Sequence, residues 1–93
     1  MASFGTATIS GQSLKTYQEV DSTTNKTTTF YLNSDFEVVG TKVVDADNGE
    51  EISIVKLPKT GGGFVETGSY KENSSATAFT WEYNFDSSDA FTG

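Results

Sequence analysis

The sequence predicts an all-β chain: an antiparallel β-sandwich or small, partly open barrel of about six or seven strands. Three observations carry this reading. In Phe79-Thr80-Trp81-Glu82-Tyr83-Asn84-Phe85, strand geometry sets the four aromatic residues on one face and Thr80, Glu82 and Asn84 on the other. Thr and Ser make up 25 of 93 residues, favouring strands and turns over helices. Short apolar runs are separated throughout by Gly-, Asn- and Asp-rich breaks. Leu, Ile, Val and Phe number only 20 of 93, near the level at which chains stop folding. Seven Phe, four Tyr and one Trp add enough large side chains to predict a folded single domain over residues 1–93.

Residues 4–10 alternate weakly and stop at Gly11-Gln12-Ser13, giving a first short strand and a turn. Residues 15–20 form the next strand, broken by Asp21-Ser22-Thr23-Thr24-Asn25, with 27–32 as its hairpin partner. After Asn33-Ser34-Asp35, residues 36–44 read as a longer strand with Phe36, Val38 and Val44 on one face and a bulge at Gly40. Asn48-Gly49 is the dipeptide that best tolerates two residues at positive φ, so 45–50 is predicted as a hairpin turn. In residues 51–57, Ile52 and Ile54 face one way and Val55 and Leu57 the other, which predicts a strand covered on both sides. A loop over 58–63, a strand over 64–70, a turn over 72–75 and the aromatic strand over 76–85 complete the series. The aromatic face is expected to be covered by the rest of the chain. The tail is polar except for Phe91, which would suit a truncated repeat or a strand awaiting a partner.

Six Lys against thirteen carboxylates give a net charge of -7, and Arg and His are absent. Such a field repels polyanions and supplies no guanidinium for phosphate or guanine, so neither nucleic acid nor an anionic membrane surface is an expected partner. Without His or Cys the usual zinc sites are excluded, and hard cations, chiefly calcium, are the metals that fit. Absent cysteines also exclude a disulfide framework. No run has the length of a membrane helix, and Met1-Ala2-Ser3-Phe4 lacks the basic and apolar regions of a secretory signal.

An internal echo runs through the chain. Thr16-Tyr17-Gln18-Glu19 parallels Ser69-Tyr70-Lys71-Glu72, and Thr29-Phe30-Tyr31-Leu32-Asn33 parallels Thr80-Trp81-Glu82-Tyr83-Asn84. Convergent turn-strand chemistry and a repeat of about fifty residues, present slightly under twice, both account for it. With its Thr-rich, cysteine-free, acidic strands, the chain resembles the tandem β-modules of large secreted or surface-attached bacterial proteins. The resemblance is one of composition, and it implies adhesion or scaffolding in an extracellular or cell-surface setting.

Leu57-Pro58-Lys59-Thr60-Gly61 matches the L-P-x-T-G sorting signal cut by sortases of Gram-positive bacteria. Such a signal precedes an apolar span and a basic tail, whereas an acidic remainder follows here. An ordinary Pro-Gly loop, an engineered ligation junction and surface-protein ancestry all fit the string. Asp45, Asp47, Asn48 and Glu50 supply four oxygen-bearing side chains in one turn, a calcium site by residue type. As an EF-hand loop it departs from the pattern: the glycine falls one position early and Lys56 stands where the bidentate glutamate belongs. A plain hairpin turn is the reading these residues favour, and Asp86 with Asp89 is the other close aspartate pair. Phe85, Phe91 and Gly93 carry a spacing that resembles βγ-crystallin hairpins, with Ile52-Ser53-Ile54 similar to that family's serine strand, in the reverse order. Asn25-Lys26-Thr27 and Asn73-Ser74-Ser75 are glycosylation sequons.

No serine or threonine lies in a G-x-S-x-G elbow, and no His or Cys is available as base or nucleophile, so catalytic residues are not expected. The sequence therefore reads as a non-catalytic structural or adhesive module, self-assembling through edge strands or meeting a surface protein or glycan. The alternative is a calcium- or carbohydrate-binding sandwich module, using the Asp45 to Glu50 turn or exposed Tyr17, Tyr31 and Tyr70.

Overall fold

A computed structural model describes residues 2–93. Each alternating run becomes a strand: β1 (Ala2–Ile9), β2 (Gln12–Asp21), β3 (Lys26–Leu32), β4 (Val38–Asp45), β5 (Glu51–Pro58), β6 (Phe64–Lys71) and β7 (Phe79–Phe85). The seven strands pair antiparallel in chain order and form one open sheet, the all-β class expected. Neighbours in sequence are therefore neighbours in space, as short polar turns require.

Turn chemistry fixes the register. Ser10 and Gly11 both have positive φ, 49° and 76°, which makes the β1–β2 link the two-residue primed hairpin. The predicted place for that turn, Asn48-Gly49, has positive φ at Gly49 alone. There the loop is longer, closed by Gly49 N–H to the Asp45 carbonyl at 2.7 Å and Asp45 N–H to the Glu50 carbonyl at 2.8 Å. Phe36 is not part of a strand, contrary to the alternation of its neighbours. It has φ 63° and donates its N–H to the Asn33 carbonyl, while the Asn33 side chain accepts from Asp35 and Glu37. A local Asx turn thus outcompetes strand pairing for these backbone groups.

Directly opposed residues in an antiparallel ladder share a face, so the register sorts the side chains. One face carries Leu14, Val55, Leu57 and Val65, the buried core, with Ile9, Tyr31 and Val39 packed against it. Leu14 lies on β2 and Leu57 on β5, two strands that are not neighbours, so the sheet must curl for them to meet. The bend lies at β4. The β3–β4 register shifts between Tyr31 and Leu32, leaving Val39 as the extra residue. Gly40 beside it faces Val55 so closely that an added Cβ would come within 2.7 Å of that residue. Gln12 Nε2 donates to the Pro58 carbonyl at 2.8 Å and ties the β1–β2 turn to the end of β5.

The opposite face holds most of the aromatic side chains, and the described residues do not cover it. Phe79 is 67 % exposed and Ile54 42 %, against 1 % for Leu57. The expected cover over the aromatic face of β7 and the second cover over β5 are thus both missing, because seven strands in one curled layer enclose a single face. Trp81 finds partial shelter by lying on Gly68, where a Cβ would fall 2.1 Å from the indole ring. Its Nε1 donates to Glu66 Oε2 at 3.3 Å.

Two substitutions on one strand separate the faces. Leu57→Ala should lower unfolding free energy by ~2–5 kcal/mol in dilute urea titrations, and Ile54→Ala by less than ~1 kcal/mol. Equal losses would place the core on the wrong face.

Candidate functional site

The Asp45 to Glu50 turn is the middle of three stitched turns. Asn25 Nδ2 donates to Asp47 Oδ1 at 2.8 Å, and Ala46 N–H donates to the Asn25 carbonyl at 3.0 Å, linking it to the β2–β3 turn. On its other side Ser74 N–H donates to the Asn48 carbonyl at 3.2 Å, and Tyr70 Oη donates to Glu50 Oε2 at 3.0 Å. Asp45 Oδ1 accepts from Asp47 N–H and Asn48 Oδ1 from Glu50 N–H, both as Asx turns. Each of the four side chains singled out as a calcium ligand therefore already accepts a hydrogen bond inside the protein. Among the described residues, no three acidic side chains converge as a metal-binding group. Asp86 likewise folds its own loop, its Oδ1 accepting from Ser88 and Ala90, while Asp89 lies across the turn at φ 63°.

The Leu57 to Gly61 string spans the end of β5 and its hairpin loop. Leu57 is anchored in the core and Thr60-Gly61 stands at the exposed tip, between Lys59 N–H to Gly63 carbonyl and Gly62 N–H to Lys59 carbonyl bonds of 3.1 Å. Recognition of all five residues would require Leu57 to leave the core. Beside this loop an open cleft of about 740 Å³ runs from Ser10 and Gln12 past Lys59 to Glu82 and Asn84.

The three tyrosines do not make one platform. Tyr31 packs on the core face, where burial raises its pKa above the ordinary tyrosine value. Tyr17 and Tyr70 share the open face, the former between Phe4 at 5.0 Å and Phe30 at 6.3 Å between ring centroids. Sequence reading missed this ladder because its rings lie in three strands and align only once the register is known. The two copies of the echo fall on hairpins β2–β3 and β6–β7, and their registers differ: Tyr17 opposes Phe30, whereas Tyr70 opposes Phe79 and not Trp81.

A meander leaves two edges. That of β7 is half covered by the tail: Thr92 N–H donates to the Asn84 carbonyl at 2.7 Å and Asn84 N–H to the Gly93 carbonyl at 3.2 Å. Phe91 sits edge-on to Tyr83 and Phe85, each at 5.7 Å, so Phe85 and Phe91 meet as their spacing allowed. The other edge, β1, pairs with β2 along its whole length without a bulge and has no charged residue and no proline. Those are the devices that ordinarily protect an edge.

Comparison of the sequence with models of known families and with curated proteins, and of the fold with solved structures, finds no match.

The hydrogen bond to Glu50, then burial, raises the Tyr70 pKa. A raised pKa means that the contact stabilises the fold fully below the unfolded tyrosine value of about 10 and is lost as pH rises through the folded one. Absorbance titration at 295 nm, with Tyr70→Phe identifying the step, should show Tyr70 ionising at lower pH in Glu50→Gln. Superimposable curves would show that the bond does not form.

Proposed function

We propose that this chain is a non-catalytic structural or adhesive β-module of an extracellular or cell-surface setting, which recruits other copies of itself or a surface partner by strand addition. The observation that carries the reading is the β1 edge. Eight residues of regular strand present unpaired backbone donors and acceptors with no charge, proline or bulge to repel a further strand. The main chain supplies the bonds in this mode, so it needs no catalytic residue types, and His and Cys are absent from the sequence. Its acidic surface and Thr-rich, cysteine-free strands support the extracellular setting.

The calcium- or carbohydrate-binding reading draws on the Phe4–Tyr17–Phe30 ladder of the uncovered face, of which Phe4 is the exposed ring and the one open to sugar stacking. It expects the melting temperature to rise with millimolar calcium or with soluble glycans.

In the β1–β2 hairpin the Ile9–Gln12 pair closes a two-residue loop, so Ile9 bonds inward and Thr8, Thr6, Phe4 and Ala2 turn their backbone groups outward. Thr6→Pro therefore removes an outward N–H while sparing the bonds to β2. A fluorescent peptide with the sequence of residues 2–9 should bind the wild-type chain, measured by anisotropy, and bind folded Thr6→Pro at least tenfold more weakly. Equal binding would refute edge recognition.

A further inference from the structure

The edges of the sheet are unequal, and their inequality selects one assembly. On β7 the outward backbone groups of Asn84 are taken by Thr92 and Gly93, and the free part beside them carries Glu82. A strand approaching β7 meets a tail and a carboxylate. On β1 it meets neither, and because β1 carries no charge, two such strands approach without the local repulsion that a net charge of -7 would otherwise impose.

From this asymmetry we infer that the partner at β1 is the β1 strand of a second copy, paired antiparallel about a two-fold axis perpendicular to the sheet. The inference rests on the strand-addition reading above and specifies its partner and geometry. Three constraints fix the register. Antiparallel pairing is what a two-fold axis through the plane of a sheet produces. Opposed residues must share a face, so that the core face and aromatic face of one copy continue into those of the other. The outward groups belong to the even-numbered residues of β1, so hydrogen-bonded pairs must join even to even. The register that meets all three along most of the strand sets Gly5 opposite itself, Phe4 opposite Thr6 and Ala2 opposite Thr8, with about eight hydrogen bonds between chains.

This register also accounts for Phe4. It is 80 % exposed because it is the last ring of the Phe30–Tyr17–Phe4 ladder, with a neighbour on one side only. In the pair, the two Phe4 rings become diagonal neighbours across the junction, within reach of each other, and the ladder runs on into the second copy. Gly5 at the axis is an exposed, non-hydrogen-bonded pair, where backbones approach most closely. With β1 used, and β7 obstructed at Asn84 by the tail and beside it by the Glu82 carboxylate, the assembly closes at two copies and does not grow.

The test combines mass with a cross-link. The chain has no cysteine, so Gly5→Cys introduces the sole thiol, and the non-hydrogen-bonded pair at the axis has the Cα separation that a disulfide spans. Sedimentation equilibrium of the wild type should show a 10.0 kDa chain passing to twice that mass as concentration rises, with no larger species. Mild oxidation should join Gly5→Cys chains in pairs and leave Ser22→Cys, in the β2–β3 turn, unjoined. Mass that climbs without limit would overturn the closed pair while leaving strand addition standing. A monomer at every concentration, or cross-linking as fast at Ser22→Cys, would overturn it too. In that case binding of the residue 2–9 peptide decides whether edge recognition survives, and its absence removes both.

Discussion

A single layer of strands can bury one face only, and the rest of this protein follows from that constraint. Seven strands joined by short turns lie side by side in chain order, and the described residues form a single layer. The sheet makes its core by curling on itself. Val39 is inserted as a bulge, Gly40 lets β5 come close, and Gln12 reaches across to Pro58, so that Leu14 meets Leu57 and Val65. Burial is concentrated at that end of the strands. The opposite end is held by polar stitching among three turns, with Asp47, Asn48 and Glu50 as the shared partners.

The strands themselves were legible in the sequence, though not their order in the sheet, because period-2 alternation and turn residues are local signals. Which face is buried was not. On β5 both alternations are apolar, Ile52 with Ile54 and Val55 with Leu57, and nothing within the strand distinguishes them. The direction of curl decides, and it is set by a bulge on the neighbouring strand. The aromatic face of β7 misled for the same reason: alternation shows that a strand is amphipathic, and the supply of covering layers determines whether the apolar side is buried. Phe36 went wrong through a different competition, since the Asn33 side chain captures the backbone groups that a strand would have used.

The candidate site divides along the same line. The oxygen-rich turn was visible as a cluster of Asp, Asn and Glu; in the structure Asp45 and Asn48 accept from backbone N–H groups of that same turn, while Asp47 and Glu50 accept from Asn25 and Tyr70, beyond the reach of a local motif. The absence of charge and proline from β1 was equally visible as a string. Its meaning depended on β1 being an edge, which only the topology shows. The capped edge at β7 comes from the tail, whose Phe91 finds its neighbours in Tyr83 and Phe85 of the same chain. One edge partly covered by the tail, one edge without such cover and an open aromatic face are the surfaces on which the proposed strand addition rests.

The claim on which this account turns is that the Leu57 and Val65 side of the sheet is the core, with the aromatic side open. Hydroxyl-radical footprinting of the dilute chain reads it directly, residue by residue. A core on the Leu57 and Val65 side requires rapid oxidation at Phe79 and Tyr83, with Leu57 and Val65 protected. Protection of the β7 aromatics in a dilute monomer, with oxidation at Leu57, would contradict it.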